Sequence, residues 1–509
     1  VFNNLEIGDV VYIDYETEST SSGRFYKDYV NYFQFDSYHP SLNTSFTLLS
    51  PANKLFSHKV VNGGVDFTSK SIGEYKYYKW EAKNLKEIGI QENYMPSLSD
   101  ISRYLHISTL NSWDEIALWY SDLVKQQIEV NTDVQNAFSS IFPDDISSYT
   151  ENQKAKKIYY YLMENLSYSH VTFKQSGFIP QKPSKTIKTK LGDCKDFSTL
   201  FVTLANMAGL KSHLVLILTS DFGQNSMVLP SQDFNHCIVK VNIDGKPQYL
   251  ELTDNELPYK AIPTSLEGAT ALDIPNGNVE MIKKNIYTLE NINHIETVVA
   301  SNVKYNTNHD KSELIINSTY TGSIKSNYAN ILKEKNPLVV KEGISDDFKS
   351  RISNNFVLDS VYNISYKLRS PEVKYTSHLT LNEKINKIGD LKVIKLPAIN
   401  NPYNNIIIED SKRNFPIEYN LYENADMYIS TYSIKIGTNE KFVEIPKDEL
   451  LIYKDHFFNI TYRLVKKNEL SVKIEAKTPK ERILAEDYNE FKVYVQKALD
   501  SKARLIGVK

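Results

Sequence analysis

The sequence predicts a multidomain α+β protein with an N-terminal β domain, a central mixed α+β core and a C-terminal β-rich domain that ends in a helix. A chain of 509 residues exceeds the size of one ordinary hydrophobic core. In the N-terminal and C-terminal parts of the chain, apolar and polar residues alternate as they do in strands. Between about residues 112 and 208, apolar residues instead recur at helical spacing. We expect domains at residues 1–110, 111–288 and 289–509.

Composition excludes several classes of protein. With 41% hydrophobic and 24% charged residues the chain resembles folded globular proteins. A formal net charge of −3 provides no basic face, so no nucleic-acid partner is expected. The sequence contains no apolar run of about 18 residues, so no membrane span is expected. No signal peptide is visible, and a start at Val1 suggests a trimmed or processed N terminus, with the first domain truncated.

The N-terminal domain is predicted to be mainly β. Residues 10–15 alternate in the strand manner before a turn at residues 21–23, and residues 75–80 show the same pattern. Ser112 followed by Glu115 is a capping-box pattern, and apolar residues then follow one helical face. A second helix is predicted from near Thr150.

The C-terminal region shows the strand pattern again from about residue 290. Strands are expected at residues 312–320, 362–368, 377–381 and 458–464. A single helix over about residues 485–501 closes the chain, because apolar residues there repeat every three to four positions.

Cys194 stands at the predicted start of a helix. Asp193 is suited to the N-cap, an apolar stripe follows, and Gly209 ends the pattern. The free N–H groups at a helix start favour a thiolate, and they can also bind an oxyanion. The alternative is that Cys194 is a small core residue, as most free cysteines are. The charged neighbours Lys195 and Asp196 argue for function.

A β-hairpin is predicted around Asp244 and Gly245, between two runs of alternating apolar residues. If those two residues form the turn, His236 lies opposite Thr253 with Glu251 diagonally beside it. A histidine that pairs with a nucleophilic cysteine needs an acceptor to orient its ring. Successive side chains of a strand point to opposite faces, so Glu251 is expected on the face of His236, whereas Asp254 would point to the other face. A bulge or a longer turn would reverse this assignment.

The other cysteine is predicted to be structural. Cys237 lies opposite Leu252, on the hairpin face that also carries Val239, so we expect it to fill the core. Two cysteines are too few for a disulfide framework or a structural zinc site. The histidines show no metal-ligand spacing, and no metal or other cofactor is expected.

These motifs resemble the bacterial transglutaminase-like superfamily, whose core is related to papain-like cysteine proteases. The matching segments are Gly-Asp-Cys-Lys-Asp at residues 192–196, Asn-His-Cys-Ile at 235–238 and Glu-Leu-Thr at 251–253. The resemblance implies a triad in which Cys194 is the nucleophile, His236 the base and Glu251 stands where the family has Asp. Asp254 is the alternate third member.

The oxyanion region departs from the family pattern. An aromatic residue that can donate a hydrogen bond is common there, whereas this chain has Phe178, which has no donor. Gln175 and Gln181 are the alternative donors. The first residues and the helix from Ser112 resemble an uncharacterised β domain that precedes such cores in exported bacterial proteins. That likeness implies a periplasmic or extracellular location.

The sequence therefore predicts a cysteine protease or amidase that acts on a protein or peptide substrate through an acyl-enzyme. The sequence leaves open whether water or an amine attacks the acyl-enzyme. We favour hydrolysis because no amine-binding site is visible in the sequence. The alternative is a catalytically silent transglutaminase-like scaffold whose β domains bind a protein, glycan or cell-envelope partner.

Overall fold

The computed structural model describes the chain except for a set of short segments. These are residues 1–5, 7, 19–22, 90–91, 170–176, 277–284, 291, 309–310, 353–354, 383–385, 401 and 420–424. Every strand ladder found in the described residues joins strands from within one of the ranges 1–110, 111–288 and 289–509. Domain limits at these positions are our proposal.

The first part of the chain contains two antiparallel three-stranded sheets, with strand orders β1-β6-β3 and β2-β5-β4. Its elements in chain order are β1 (Val30–Gln34), β2 (Ser41–Pro51), β3 (Ser57–Val61), β4 (Asp66–Ile72), β5 (Tyr75–Leu85), α1 (Leu98–Ile101) and β6 (Tyr104–Ser108). The sheets share a small apolar core around Phe35, Trp80 and Leu105. The strand expected at residues 75–80 lies within β5.

The strand expected at residues 10–15 is not formed. These residues pair with no strand in the described part of the chain, and Val10 and Tyr12 are 92% and 84% exposed. Alternation of apolar residues determines which side chains share a face, but a strand also needs a neighbour for its backbone hydrogen bonds.

The central part packs helices against a five-stranded antiparallel sheet of order β11-β10-β9-β12-β13. Its helices are α2 (Trp113–Lys125), α3 (Thr132–Ile141), α4 (Glu151–Asn165), α5 (Pro183–Thr189) and α6 (Cys194–Met207). Its strands are β7 (Ser167–Tyr168), β8 (Leu191–Gly192), β9 (Ser212–Leu218), β10 (His236–Ile243), β11 (Lys246–Leu250), β12 (Thr270–Asp273) and β13 (Tyr287–Thr288). Helix α6 is buried along most of its length against β9 and β10.

The helix starts expected at Ser112 and near Thr150 are both found, and each has a side-chain cap. Ser112 accepts a hydrogen bond from the Glu115 N–H at the start of α2. Thr150 and Gln153 form a full capping box at the start of α4. Such caps satisfy backbone donors that the helix itself leaves free, so they mark a start from local sequence alone.

The last part contains an eight-stranded sheet of order β16-β17-β15-β14-β21-β25-β24-β23, in which only β14 and β21 pair in parallel. Its strands are β14 (Val298–Asn308), β15 (Lys311–Thr321), β16 (Phe356–Ser365), β17 (Glu372–Leu381), β18 (Asn386–Ile388), β19 (Leu391–Ile394), β20 (Ile417–Glu418), β21 (Met427–Lys435), β22 (Phe442–Glu444), β23 (Glu449–Tyr453), β24 (His456–Lys466), β25 (Glu469–Lys477), β26 (Arg482–Ile483) and β27 (Ile506–Val508). Its helices are α7 (Ile324–Leu332), α8 (Pro337–Arg351) and α9 (Tyr488–Lys502).

This strand-rich region ends in a helix, as expected, with the short strand β27 after it. Helices α7 and α8 were not expected. The buried residues of α8 are Val340, Ile344 and Phe348. The exposed apolar residues Leu338 and Val339 obscure this buried stripe in the sequence. Packing on the sheet contributes more to the stability of such a helix than its local propensity does.

No helix in the described ranges is both long enough and apolar enough to cross a membrane.

Candidate active site

Two carboxylates build the N terminus of α6. The Asp193 side chain accepts a hydrogen bond from the Asp196 N–H at 3.3 Å, and Asp196 accepts one from the Asp193 N–H at 3.0 Å. This reciprocal capping makes Cys194 the first residue of the helix. Gly192 is required just before it, because a Cβ there would lie 2.9 Å from the Asp196 Cβ. The predicted helix start at the cysteine is confirmed.

Further buried groups hold these two carboxylates. Lys195 is only 2% exposed and forms an ion pair with Asp193. The backbone N–H and the side-chain amide of Gln181 each donate to Asp196 at 2.7 Å. Negative charge at a helix N terminus is stabilised by the free N–H groups and the helix dipole. Hydrogen bonds and an ion pair thus hold both carboxylates at the helix start that carries Cys194.

The β10–β11 hairpin has the predicted turn. Asp244 and Gly245 have φ values of 52° and 76°, as a two-residue type I′ turn requires, and Ile243 pairs with Lys246. The ladder continues to the pair of Val239 with Leu250, where β11 ends.

The entry to β10 is fixed from β9. The N–H of Asn235 donates to the Ile217 carbonyl, and its side chain bonds the N–H and the hydroxyl of Thr219. His236, the first residue of β10, then pairs with Ile217. These bonds place the imidazole at the end of the strand.

Glu251 and His236 are in direct contact. The His236 Nε2 lies 2.6 Å from the Glu251 Oε2, and Glu251 is 3% exposed. The other carboxylate oxygen accepts hydrogen bonds from the N–H of Thr253 at 2.7 Å and from its hydroxyl at 2.6 Å. Asp254 instead accepts from the Glu256 N–H. Of the two predicted acidic residues, the structure thus places Glu251 at the imidazole.

The same imidazole is within hydrogen-bonding reach of the Cys194 thiol. Burial lowers the pKa of His236, but the charge of Glu251 and the hydrogen bonds to Cys194 and Glu251 outweigh burial and raise this pKa well above its usual range. Burial raises the pKa of Glu251, whereas the positive His236 and the bonds from Thr253 lower it to about 2. His236 and Glu251 are therefore a charged pair at neutral pH.

Comparison with known proteins agrees with this geometry. Residues 143–249, which include Cys194 and His236, match the transglutaminase-like superfamily. The chain has a transglutaminase-like core. Residues 1–88 match DUF3857, a domain of unknown function with a solved structure. Both predicted resemblances are confirmed. The matched core range ends just before Glu251.

A solved structure shares the overall arrangement. The crystal structure of a "putative protease" from Parabacteroides distasonis has a TM-score of 0.60 at 12% identity, and the match covers 96% of this chain and 76% of that protein. At this identity the likeness concerns the fold alone. A "putative cysteine protease" from Cytophaga hutchinsonii has a TM-score of 0.22 at 12% identity over 52% of this chain and 84% of its own, too low to compare arrangements. No curated protein gives a significant match.

Three side chains were predicted for the oxyanion region of the transglutaminase-like core. The amide of Gln181 bonds Asp196 and so supports the helix start. The ring of Phe178 packs edge-on against Trp119, with centroids 5.2 Å apart. Gln175 lies outside the described residues. The structure thus gives Gln181 a supporting position and leaves Phe178 without a donor group.

Tyr168 lies beside Cys194 in the candidate site, and sequence reasoning missed it. Strands β7 and β8 pair in parallel with Tyr168 beside Gly192, and the Ser169 N–H donates to the Gly192 carbonyl at 2.8 Å. The Tyr168 hydroxyl oxygen accepts a hydrogen bond from the N–H of Cys194, and burial, followed by the nearby Cys194 and Asp193, raises its pKa. Two paired dipeptides show no periodicity in a sequence, so no pattern could have indicated this contact.

Cys237 is buried, as predicted, in the same apolar cluster as Leu252 and Val239. Burial, with the nearby Cys194, raises the pKa of its thiol well above the usual range. Such a thiol is a poor nucleophile. Across the part of the chain that the structure describes, no three His, Cys, Asp or Glu side chains form a group suited to a metal ion.

Proposed function

We propose that the transglutaminase-like core is a cysteine-dependent hydrolase of peptide or glutamine amide bonds. The arrangement of His236 carries this proposal: its Nε2 lies 2.6 Å from the Glu251 carboxylate, while the ring also reaches Cys194 at the first residue of α6. An imidazolium and a helix N terminus beside one sulfur both favour the thiolate. With Nε2 on the carboxylate, Nδ1 is the nitrogen that faces the sulfur.

In the proposed reaction the Cys194 thiolate attacks the amide carbon, and a C–S bond forms as the carbonyl electrons move onto oxygen. The tetrahedral intermediate collapses, the C–N bond breaks, and His236 gives its Nδ1 proton to the departing amine. Water then attacks the thioester carbon and forms a C–O bond while His236 takes a proton from it, and the C–S bond breaks to release the Cys194 thiolate. The products are a carboxylic acid and the starting thiolate–imidazolium pair. Glu251 holds the ring orientation and its positive charge throughout.

Alkylation by iodoacetamide at neutral pH tests this proposal. We expect rapid alkylation of Cys194 in the wild type and a rate at least about tenfold lower in His236→Ala, because the imidazolium that stabilises the thiolate is lost. Peptide mass spectrometry separates Cys194 from Cys237. The matched control is His39→Ala, which removes an exposed histidine, and it should react like the wild type.

One observation favours the alternative of a catalytically silent scaffold. Cys194 is only 2% exposed and the His236 side chain 16%, so a substrate carbonyl has little access to the sulfur in this conformation. Equal, slow alkylation in the wild type and in His236→Ala would support this scaffold, with the β domains binding a protein, glycan or cell-envelope partner.

We propose that the Tyr168 hydroxyl donates a hydrogen bond to the oxyanion. Because it already accepts from the Cys194 N–H, its own proton is polarised toward a developing negative charge. Tyr168→Phe should lower casein hydrolysis roughly 100-fold, the usual cost of one oxyanion donor. Alkylation of Cys194 should stay at the wild-type rate, since iodoacetamide forms no oxyanion.

The control for this substitution is Tyr161→Phe, which removes a half-buried hydroxyl on α4. Unchanged or faster hydrolysis in Tyr168→Phe would contradict the assignment, and a gain would identify the hydroxyl as a group that blocks the site.

The family likeness also leads us to propose a periplasmic or extracellular location and a protein or peptide substrate. Release of casein fragments, compared with incorporation of a fluorescent primary amine into casein, decides between water and an amine as acceptor.

A further inference from the structure

The loop that leads into the histidine strand is held by the N-terminal sheet. We call residues 228–235 the histidine loop. The Tyr32 hydroxyl, on β1, lies 2.7 Å from the Asp233 carboxylate and 2.8 Å from the Ser231 hydroxyl. Ser231 in turn donates to Asp233. Tyr32 belongs to the segment that matches DUF3857, so this contact joins the domain of unknown function to the transglutaminase-like core.

Strand β6 holds the beginning of the same loop. The Leu229 N–H donates to His106 Nδ1 at 3.0 Å, and the Ser108 hydroxyl donates to the Pro230 carbonyl at 2.6 Å. His106 is fully buried and its ring lies 4.2 Å from that of Tyr32, measured between centroids. Burial, opposed by the charge of Asp233, lowers the pKa of His106 to about 4, so the ring is neutral at physiological pH and Nδ1 can accept.

The remaining part of the loop transmits this anchoring to the histidine. Phe234 is 1% exposed and packs edge-on against Trp113, with ring centroids 6.1 Å apart. Asn235 is bonded to Thr219 through both its side-chain oxygen and nitrogen. The next residue is His236. Every residue between the Tyr32 contact and the imidazole is therefore fixed by packing or by hydrogen bonds.

We propose that strands β1 and β6 form a clamp that positions His236, with Tyr32 as its principal positioning residue. This inference rests on the proposed function, because it concerns where the imidazole stands relative to Cys194 and Glu251. Tyr32 acts through the histidine loop and contacts no reacting atom.

The clamp has a physical basis. A loop without such anchors opens locally at low free-energy cost, and small displacements of a reacting group reduce rates steeply. Four hydrogen bonds to side chains of one sheet hold this single loop. The role assigned to β1, which lies in the DUF3857 segment, and to β6, which follows that segment, is thus to keep the imidazole between the sulfur and the carboxylate.

Tyr32→Phe removes the hydroxyl and keeps the ring on His106. The matched control is Tyr29→Phe, the same change just before β1, where the hydroxyl accepts only from the Asn31 amide among the described residues. The deciding measurement is the titration of the His236 imidazole by NMR on protein labelled at histidine Cε1. Loss of one signal in His236→Ala assigns the resonance.

In Tyr32→Phe we expect the titration midpoint of His236 to move down toward the ordinary value, because the ring spends less time on Glu251. Amide hydrogens of the histidine loop should exchange faster, and alkylation of Cys194 by iodoacetamide should slow about threefold to tenfold. Tyr29→Phe should match the wild type in all three measurements.

An unchanged His236 midpoint in Tyr32→Phe would overturn the clamp, whatever happens to exchange in the loop. Failure of the proposed function has a different signature, since alkylation would then be equal in the wild type and in His236→Ala. The NMR titration reports on the imidazole without any reaction, so it decides the clamp in that case as well.

Discussion

Replacement of Cys194 by alanine is expected to abolish casein hydrolysis while leaving the fold unchanged. The thiolate is the only group placed to form the acyl-enzyme in the proposed reaction, and loss of a catalytic nucleophile costs on the order of 10⁴-fold to 10⁶-fold in turnover. The side chain is small and 2% exposed. Alanine therefore removes little volume, and circular dichroism and thermal unfolding should resemble those of the wild type.

Cys237→Ala is the matched control for this prediction. It removes the other thiol, which is equally buried and lies in the same apolar cluster. We expect turnover near the wild-type level. Loss of activity in both variants would point to a folding defect, and retained activity in Cys194→Ala would place the chemistry elsewhere.

Replacement of Glu251 by glutamine is expected to reduce turnover by about 10²-fold to 10⁴-fold, since a neutral amide no longer fixes the tautomer and charge of the histidine. Without the carboxylate, burial is the dominant influence on His236, so its pKa should fall. Alkylation of Cys194 at neutral pH should therefore slow, because less of the imidazole beside the sulfur is protonated.

The same variant should change stability in a defined pH window. The pKa of His236 is raised on folding, so its stabilisation is complete below about 6.5 and is lost as pH rises through the folded value. The pKa of Glu251 is lowered from 4.5 to about 2, so its stabilisation is present above 4.5 and is lost as pH falls toward 2. The difference in melting temperature between wild type and Glu251→Gln should be largest near pH 5 to 6.

Asp254→Asn provides the comparison for Glu251→Gln, because it makes the same kind of change in the nearest alternative acid. In the structure Asp254 accepts from the Glu256 N–H, away from the imidazole. We expect near wild-type turnover. A large loss in Asp254→Asn with little loss in Glu251→Gln would reverse the assignment of the third residue.

Much of the site could be predicted because its signals are local. The carboxylates of Asp193 and Asp196 cap a helix within four residues, and Asp244-Gly245 specifies a hairpin from two residues. Both features follow from backbone hydrogen bonding and dihedral preference, which neighbouring residues determine. The ladder stops at Leu250, yet the chain direction it imposes still brings Glu251 to His236.

Helices α7 and α8 show where local signals fail. In α8 the exposed residues Leu338 and Val339 obscure the buried apolar stripe, and both helices pack on strands of the large C-terminal sheet. The opposite error occurs at residues 10–15, where a clear alternation has no partner in the described chain. Propensity describes a segment alone, whereas strands and marginal helices depend on the surface they meet.

By itself, the sequence determined the three-part layout, the helix start at Cys194, the turn that orients the histidine strand and the choice of Glu251 as its acidic neighbour. Only the tertiary structure decided that Tyr168 lies at the Cys194 N–H, that Gln181 supports the helix cap and that Tyr32 holds the histidine loop. The layout follows from the period of apolar residues along the chain, and the other three features depend on bonds within one turn or one hairpin. The contacts decided by the tertiary structure join residues far apart in the chain, and such contacts arise only when separate sheets and helices pack together.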